Sequence, residues 1–339
     1  MVETRVSKRL LAKISAGILI AVIAGAALGY FAGSSQSSGN SLPSSPKYTF
    51  YAVGWTLQDP WLASFYQGMQ TAGNMTNSKI VMIESGGGAE GFTKGFDSAL
   101  AANPSGIELG YWFPDAMGSG FQRAKQLGIP VCTFDVQAPP ELGISIGFVG
   151  WSNLQVGGVL AERVTQGFTP KGCAIVSHDV GQLWSVQRSQ GIKDYFSKNF
   201  PGVPVDVIDN KVAQTSETQS VELLRSYHTA HPNVDVFIAL GIQDAHPLID
   251  LVEEQNLVGV LKLGGVDISD KVIGAIKNGE MVAAVSQQPF FQGFLATMWL
   301  YNYKEYGFIP PTDTPTGPTV VDKNSIALIQ MQLDKTGGA

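Results

Sequence analysis

Residues 234–254 read VDVFIALGIQDAHPLIDLVEE. The first seven, 234–240, form a short apolar run of the kind found in a strand covered on both faces. From 245 to 254 the apolar residues recur at helical spacing. Gln243 and Asp244 stand between the two. Strand, polar turn and helix make one βα unit, and the same unit repeats along the chain. Downstream come a strand at 261–266, a helix at 271–277, a strand at 281–285 and a helix at 290–303. Upstream, the pattern predicts helices at 154–166, 186–198 and 217–227, with strands at 174–177 and 205–208. Nearer the N-terminus, strands at 48–55, 80–83, 107–112 and 131–134 alternate with helices at 60–75, 91–101 and 116–127.

Such alternation implies parallel sheets with helices on both faces. About ten strands exceed what one compact sheet of this size uses, and 339 residues suit two domains. The reading is α/β: two doubly wound parallel-sheet domains joined by a hinge, dividing near Gly150 and Trp151. Cys132 and Cys173 lie in apolar runs and read as buried strand thiols, with a disulfide between them left open. The net charge of −6 disfavours phosphate backbones, so nucleic acid is not expected as a partner.

Residues 14–33 are uncharged and mostly apolar. As a helix they would span about 30 Å, the thickness of a bilayer core. Arg5, Lys8, Arg9 and Lys13 precede them, which keeps that end in the cytoplasm and places the remainder outside the cell. The expectation is one transmembrane helix anchoring the protein to the cell membrane, with a processed secretory signal as the alternative. No cysteine follows the run to carry a lipid. Residues 34–46, rich in Ser, Gly and Pro, read as a flexible tether. Asn74-Met75-Thr76 is a glycosylation sequon.

Ligands of open α/β sheets bind at the carboxyl ends of strands. Two such domains facing each other would hold a ligand in the cleft between them. Asp59 and Trp61 follow the first strand; Trp112 and Asp115 follow the third; Asp135 follows the fourth. His178, Trp184 and Arg188 follow the strand at 174–177, Gln243 follows 234–240, Asp267 follows 261–266, and Gln287 follows 281–285. Carboxylates, amides and a guanidinium suit vicinal hydroxyls, and indole faces suit the C–H patches of a pyranose. The combination points to a neutral polyol such as a monosaccharide, bound without a cofactor or metal.

Five segments in register resemble the periplasmic-binding-protein family of the ribose and galactose type (type 1). They are TLQDPWL (56–62), IPVCTFD (129–135), QRSQGI (187–192), GGVD (264–267) and AAVSQQP (283–289). The resemblance runs from about Lys47 to about Val321. It implies that Asp59, Asp135, Arg188, Asp267 and Gln287 hold hydroxyls and that Trp61 stacks on the sugar ring, with Trp184 and Gln243 at further ligand positions. It also implies discontinuous lobes, 47–150 plus 287–318 and 151–286 plus 319–339, after a membrane segment at 1–33 and a linker at 34–46. A binding protein of this kind, monomeric and not an enzyme, would pass its sugar to an ABC permease driven by ATPase subunits. Val136 replaces the arginine usual after the strand-four aspartate, Asp59 replaces an asparagine, and Leu62 replaces a second aromatic. Ribose specificity therefore does not carry over, and an aldopentose such as xylose or arabinose is favoured.

Other readings carry less. Gly86-Gly-Gly-Ala-Glu-Gly91 fits G-x-G-x-x-G but follows the second strand and lacks the acidic residue about 20 positions on, so it reads as a turn. His178-Asp179 lacks a nucleophile motif. His228 and His231 are poorly placed as a metal pair. Asp267 could instead cap the helix starting near Ser269. A nucleoside-binding lipoprotein-like receptor and an exported glycoside-acting hydrolase are the alternatives.

Overall fold

The computed structural model describes residues 45–142, 146–310 and 313–336. The expected membrane segment at 14–33 and nearly all of the tether lie outside these residues. Among the described residues no helix is long and apolar enough to cross a membrane.

The body from Pro46 onward contains two six-stranded sheets. The first holds β1 (Tyr48–Gly54), β2 (Ser78–Glu84), β3 (Gly106–Glu108), β4 (Val131–Phe134), β5 (Phe148–Gly150) and β11 (Thr314–Pro315), in the order β11-β5-β4-β3-β1-β2. The second holds β6 (Cys173–Ser177), β7 (Val205–Asp209), β8 (Val236–Ala239), β9 (Lys262–Val266), β10 (Ala283–Ser286) and β12 (Thr319–Val321), in the order β12-β10-β9-β8-β6-β7. All neighbours are parallel except β12, which runs antiparallel to β10. The strands are short apolar runs because both faces are covered: β3, β4, β5, β6, β8 and β10 are buried at every position. Cys132 in β4 and Cys173 in β6 are both buried and free.

Helices α1 (Pro60–Thr76), α2 (Gly88–Ala101) and α3 (Pro114–Gln126) belong to the first lobe. They are followed by α4 (Asn153–Thr165), α5 (Leu183–Asn199), α6 (Glu217–Ala230), α7 (Ile242–Glu254) and α8 (Asp270–Asn278) in the second. Then α9 (Pro289–Tyr306) packs on the first lobe against α1, and α10 (Ile326–Thr336) closes the described chain on the second-lobe core. The chain thus passes between sheets three times: after Gly150, after Ser286 and after Pro315. Gln288, at φ 55°, joins the second and third crossings by donating to Thr316 O and Thr319 Oγ1, each at 2.8 Å.

Each lobe repeats one device. The helix entering from a crossing packs on the helix that follows the lobe's first strand, at a pair of glycines. A Cβ at Gly68 of α1 would stand 1.9 Å from Phe290 O, and one at Gly293 of α9 would stand 2.1 Å from Phe65 O. In the other lobe a Cβ at Gly157 of α4 would stand 2.0 Å from Arg188 O, and one at Gly191 of α5 2.0 Å from Leu154 O. Only hydrogen at those positions lets the backbones meet.

Both sheets reverse strand order next to their first strand, between β1 and β3 and between β6 and β8. Such switch points open a crevice at the strand ends. Several boundaries differ from the sequence reading. The strand expected at 107–112 stops at Glu108, so Trp112 stands on the following loop. The helix expected from 186 starts at Leu183, which puts Trp184 in its first turn. Gly86, Gly87 and Gly88 all take positive φ and form the turn into α2.

Candidate functional site

On the first lobe, β1 leads through a turn to Asp59, whose carboxylate accepts from Leu62 N at 3.1 Å and caps α1, with Pro60 starting the helix. That start places Trp61 in the first turn. Its ring stacks between Trp55 and Phe65, at centroid distances of 5.6 and 5.9 Å, and is 8 % exposed. The indole Nε1 is buried and has no hydrogen-bond partner. Asp135, directly after β4, sits at φ 56°, a conformation Asp tolerates better than most residues. Its N–H donates to Gln292 Oε1 at 3.1 Å, and its Oδ2 accepts from Trp112 Nε1 at 2.7 Å. Its Oδ1 is buried and unpartnered.

On the second lobe, α5 carries Trp184 and, one turn on, Arg188. Arg188 is 3 % exposed. Its Nε donates to Asn153 Oδ1 at 2.8 Å and its Nη1 to Leu240 O at 2.7 Å, so the side chain is held by α4 on one side and the end of β8 on the other. The guanidinium lies 4.9 Å from the Trp184 ring and 5.4 Å from that of Trp151. After β9, Asp267 takes φ 77°, and its Oδ1 accepts from Gln287 Nε2 at 2.6 Å. Gln287 is nearly buried, and its Oε1 has no partner. The cap of α8 is Ser269, whose Oγ accepts from Val272 N at 3.2 Å, which leaves Asp267 free of that duty.

These groups share one electrostatic neighbourhood. Burial pushes Asp267 up to about 6, against the opposing pull of Arg188 and the Gln287 hydrogen bond, while the Asp135 and Asp59 charges push it further up. Asp135 is also raised by burial, against Arg188 and Trp112. Burial lowers Arg188 in turn, opposed by Asp267, Asp135 and Asp244. Leu183 and Trp184 pack against the first-lobe core, and Trp184 against its own as well, so the lobes touch there.

Seven of the eight ligand positions that the resemblance implies are therefore drawn together: Asp59, Trp61, Asp135, Trp184, Arg188, Asp267 and Gln287. Gln243 is less directly joined: it makes no hydrogen bond to the others and lies in the first turn of α7 beside Gly241, which His178 also borders. Three further residues contribute; Trp112 already stands among the strand-end candidates, whereas Asn153 and Gln292 do not. Asn153 orients Arg188 and also accepts from Trp151 Nε1 at 3.2 Å. Trp112 orients Asp135. Gln292 ties Asp135 N to Gln287 O, with its Nε2 donating to the latter at 3.0 Å. A cavity of about 800 Å³ borders the cluster near the first crossing; Asp135 and Asn153 line it, with Tyr111, Phe148, Trp151 and Leu183 among its apolar walls. No group of three or more His, Cys, Asp or Glu among the described residues is placed to hold a metal ion.

The site can accept and donate several hydrogen bonds at once, keep one cation among carboxylates, and present indole surface. Nothing in it supplies an activated nucleophile. Residues 50–307 match the model of the family described as periplasmic binding protein domain. The chain is 22 % identical to the xylose/arabinose-binding protein of Sulfolobus acidocaldarius, over 84 % of this chain and 73 % of that protein. It is 20 % identical to the ribose import binding protein of Bacillus subtilis, over 71 % of this chain and 77 % of that one. Its fold matches the crystal structure of a carbohydrate transporter from Acidothermus cellulolyticus in complex with myo-inositol. That match has a TM-score of 0.75 at 21 % identity and covers 86 % of this chain and 99 % of that one.

Proposed function

Because the chain belongs to the periplasmic binding protein domain family, we propose that its two lobes capture a neutral monosaccharide, an aldopentose such as xylose or arabinose, and deliver it to an ABC permease. The observation that carries this reading is the set of unpartnered buried atoms. Trp61 Nε1, Asp135 Oδ1 and Gln287 Oε1 are three of the six buried side-chain atoms without a hydrogen bond among the described residues, and they belong to one cluster. Leaving such an atom dry costs about 1–3 kcal/mol. One donor and two acceptors within one cluster fit hydroxyl groups, each of which donates and accepts. Arg188 and Asp267 add charged partners, the part-exposed Trp184 supplies indole surface, and Trp61, its ring stacked on Trp55 and Phe65, contributes through Nε1. The relatives described as binding xylose, arabinose or ribose support the same ligand class.

A pentose has about ten heavy atoms, and at a ceiling of about 1.5 kcal/mol per atom a micromolar affinity, about −8 kcal/mol, is within reach. Sugar that contacts both lobes favours the closed arrangement, which marks the loaded form for the permease. The test is a thermal-shift screen of the soluble body with pentoses, hexoses and nucleosides, followed by calorimetry on any hit. A pentose should raise the melting temperature most. Stabilisation by nucleosides with none by sugars would overturn the reading.

The same proposal places the body outside the cell, held by residues 14–33. Membrane pelleting of the full chain, with cleavage by protease added to intact cells, would support it; full chain recovered in the cytosol would refute it.

A further inference from the structure

Beside the cluster lies a second polar arrangement. His178 follows β6, and its Nδ1 stands 2.8 Å from Asp244 Oδ2. Asp244 is fully buried in the first turn of α7, and its Oδ1 accepts from Asn210 Nδ2 at 3.0 Å. Asn210, also fully buried, accepts from Ser220 Oγ at 2.7 Å through its own Oδ1. Each oxygen of Asp244 is thus committed, and the carboxylate fixes the proton of the imidazole on Nδ1. The ring is packed as well as hydrogen-bonded. It lies 5.3 Å from the Trp184 ring, and a Cβ at Gly241 would come within 2.8 Å of His178 Cε1. Asp179 and Asp267 join Asp244 in acting on it electrostatically, enough to hold the imidazole above its ordinary value despite burial. Its side chain is 15 % exposed, and Nε2 makes no hydrogen bond among the described residues.

One nitrogen is locked by a three-residue buried chain; the other makes no hydrogen bond, on a ring that packs against Trp184, which also covers Arg188, within electrostatic reach of Asp267.

We propose that His178 is an additional ligand-contacting residue, whose Nε2 hydrogen-bonds a sugar hydroxyl and selects among sugars by the position of that hydroxyl, with Asp244 as its positioning residue. This rests on the sugar-binding reading. When neutral, the Asp244-keyed tautomer presents Nε2 as an acceptor; when protonated, it presents a donor. A hydroxyl satisfies either.

The test uses calorimetry on the intact body with the sugar that binds wild type most tightly. His178→Asn keeps an amide near Nδ1 for Asp244 and removes Nε2; His178→Gln carries an amide out to the Nε2 position. The expected result is a loss of about tenfold in affinity for His178→Asn, with His178→Gln within about threefold of wild type and unfolding midpoints unchanged in both. Arg188→Ala serves as the control for the main cluster. If Arg188→Ala abolishes binding while His178→Asn binds as wild type does, the His178 assignment fails and the sugar reading stands. Equal losses in His178→Asn and His178→Gln would show a packing role and overturn the assignment. If wild type binds no sugar at all, both fall together.

Discussion

Asp267 carries a pH-dependent cost in the folded, ligand-free protein. Burial and neighbouring carboxylates raise it to about 6, whereas in the unfolded chain it titrates in the ordinary range near 4. Between those values the folded state holds more protons than the unfolded one, so its contribution to stability falls as pH rises. The penalty is complete above about 6 and absent below about 4. Asp267→Asn should therefore raise the stability of the ligand-free body at pH 7 to 8 and remove part of the pH dependence between pH 4 and 7, measured by urea unfolding. The same variant should bind sugar more weakly, because a charged acceptor is lost. An Asp267→Asn body less stable than wild type at pH 8 would show that the carboxylate is paid for by contacts inside the protein. Most site residues were legible because each follows an apolar strand, and the strand-end rule needs only that strand to be seen. Asn153 follows the three-residue β5, which is too short to show any period, and so it was missed. The Asp244–Asn210–Ser220 chain was hidden for a different reason: it joins α7, the end of β7 and α6, and no local spacing reports such contacts.

Among the elements, the paired glycines make the sharpest claim. A methyl at Gly157 would overlap Arg188 O, so α4 must move away from α5 or tilt it. Gly157→Ala should cost about 1–3 kcal/mol of stability, as overpacked contacts do, read by chemical denaturation. Because the overlapping atom is the carbonyl of Arg188 itself, sugar affinity should fall too. Gly274, in α8, has open space where its Cβ would go, and Gly274→Ala should raise stability by about 0.5–1 kcal/mol and leave sugar affinity near wild type. Strands and helices of ordinary length were readable from apolar pattern. The start of α5 was not, since Gln182 makes no side-chain capping bond that would mark it. The two-residue β11 and three-residue β12 exist only as pairings with strands already in place.

For the molecule as a whole, three chain crossings and a ligand that touches both lobes predict compaction on binding. Small-angle scattering should show a smaller radius of gyration with saturating sugar, and ligand at about 100 times Kd should add about 2.7 kcal/mol to unfolding stability. An unchanged radius with full thermal stabilisation would mean that the empty body is already closed. The third crossing bears on this balance, since Gln288 binds it to the second.

The glycine-seated helices have one more consequence. Two of the three crossings deliver a helix directly onto a helix that bears candidate ligand groups: α9 onto α1, which starts after the Asp59 cap and carries Trp61, and α4 onto α5, which bears Trp184 and Arg188. The handles of these tongs are fused to their jaws. On the sugar-binding reading, a turn at either of these crossings would carry the neighbouring ligand groups with it.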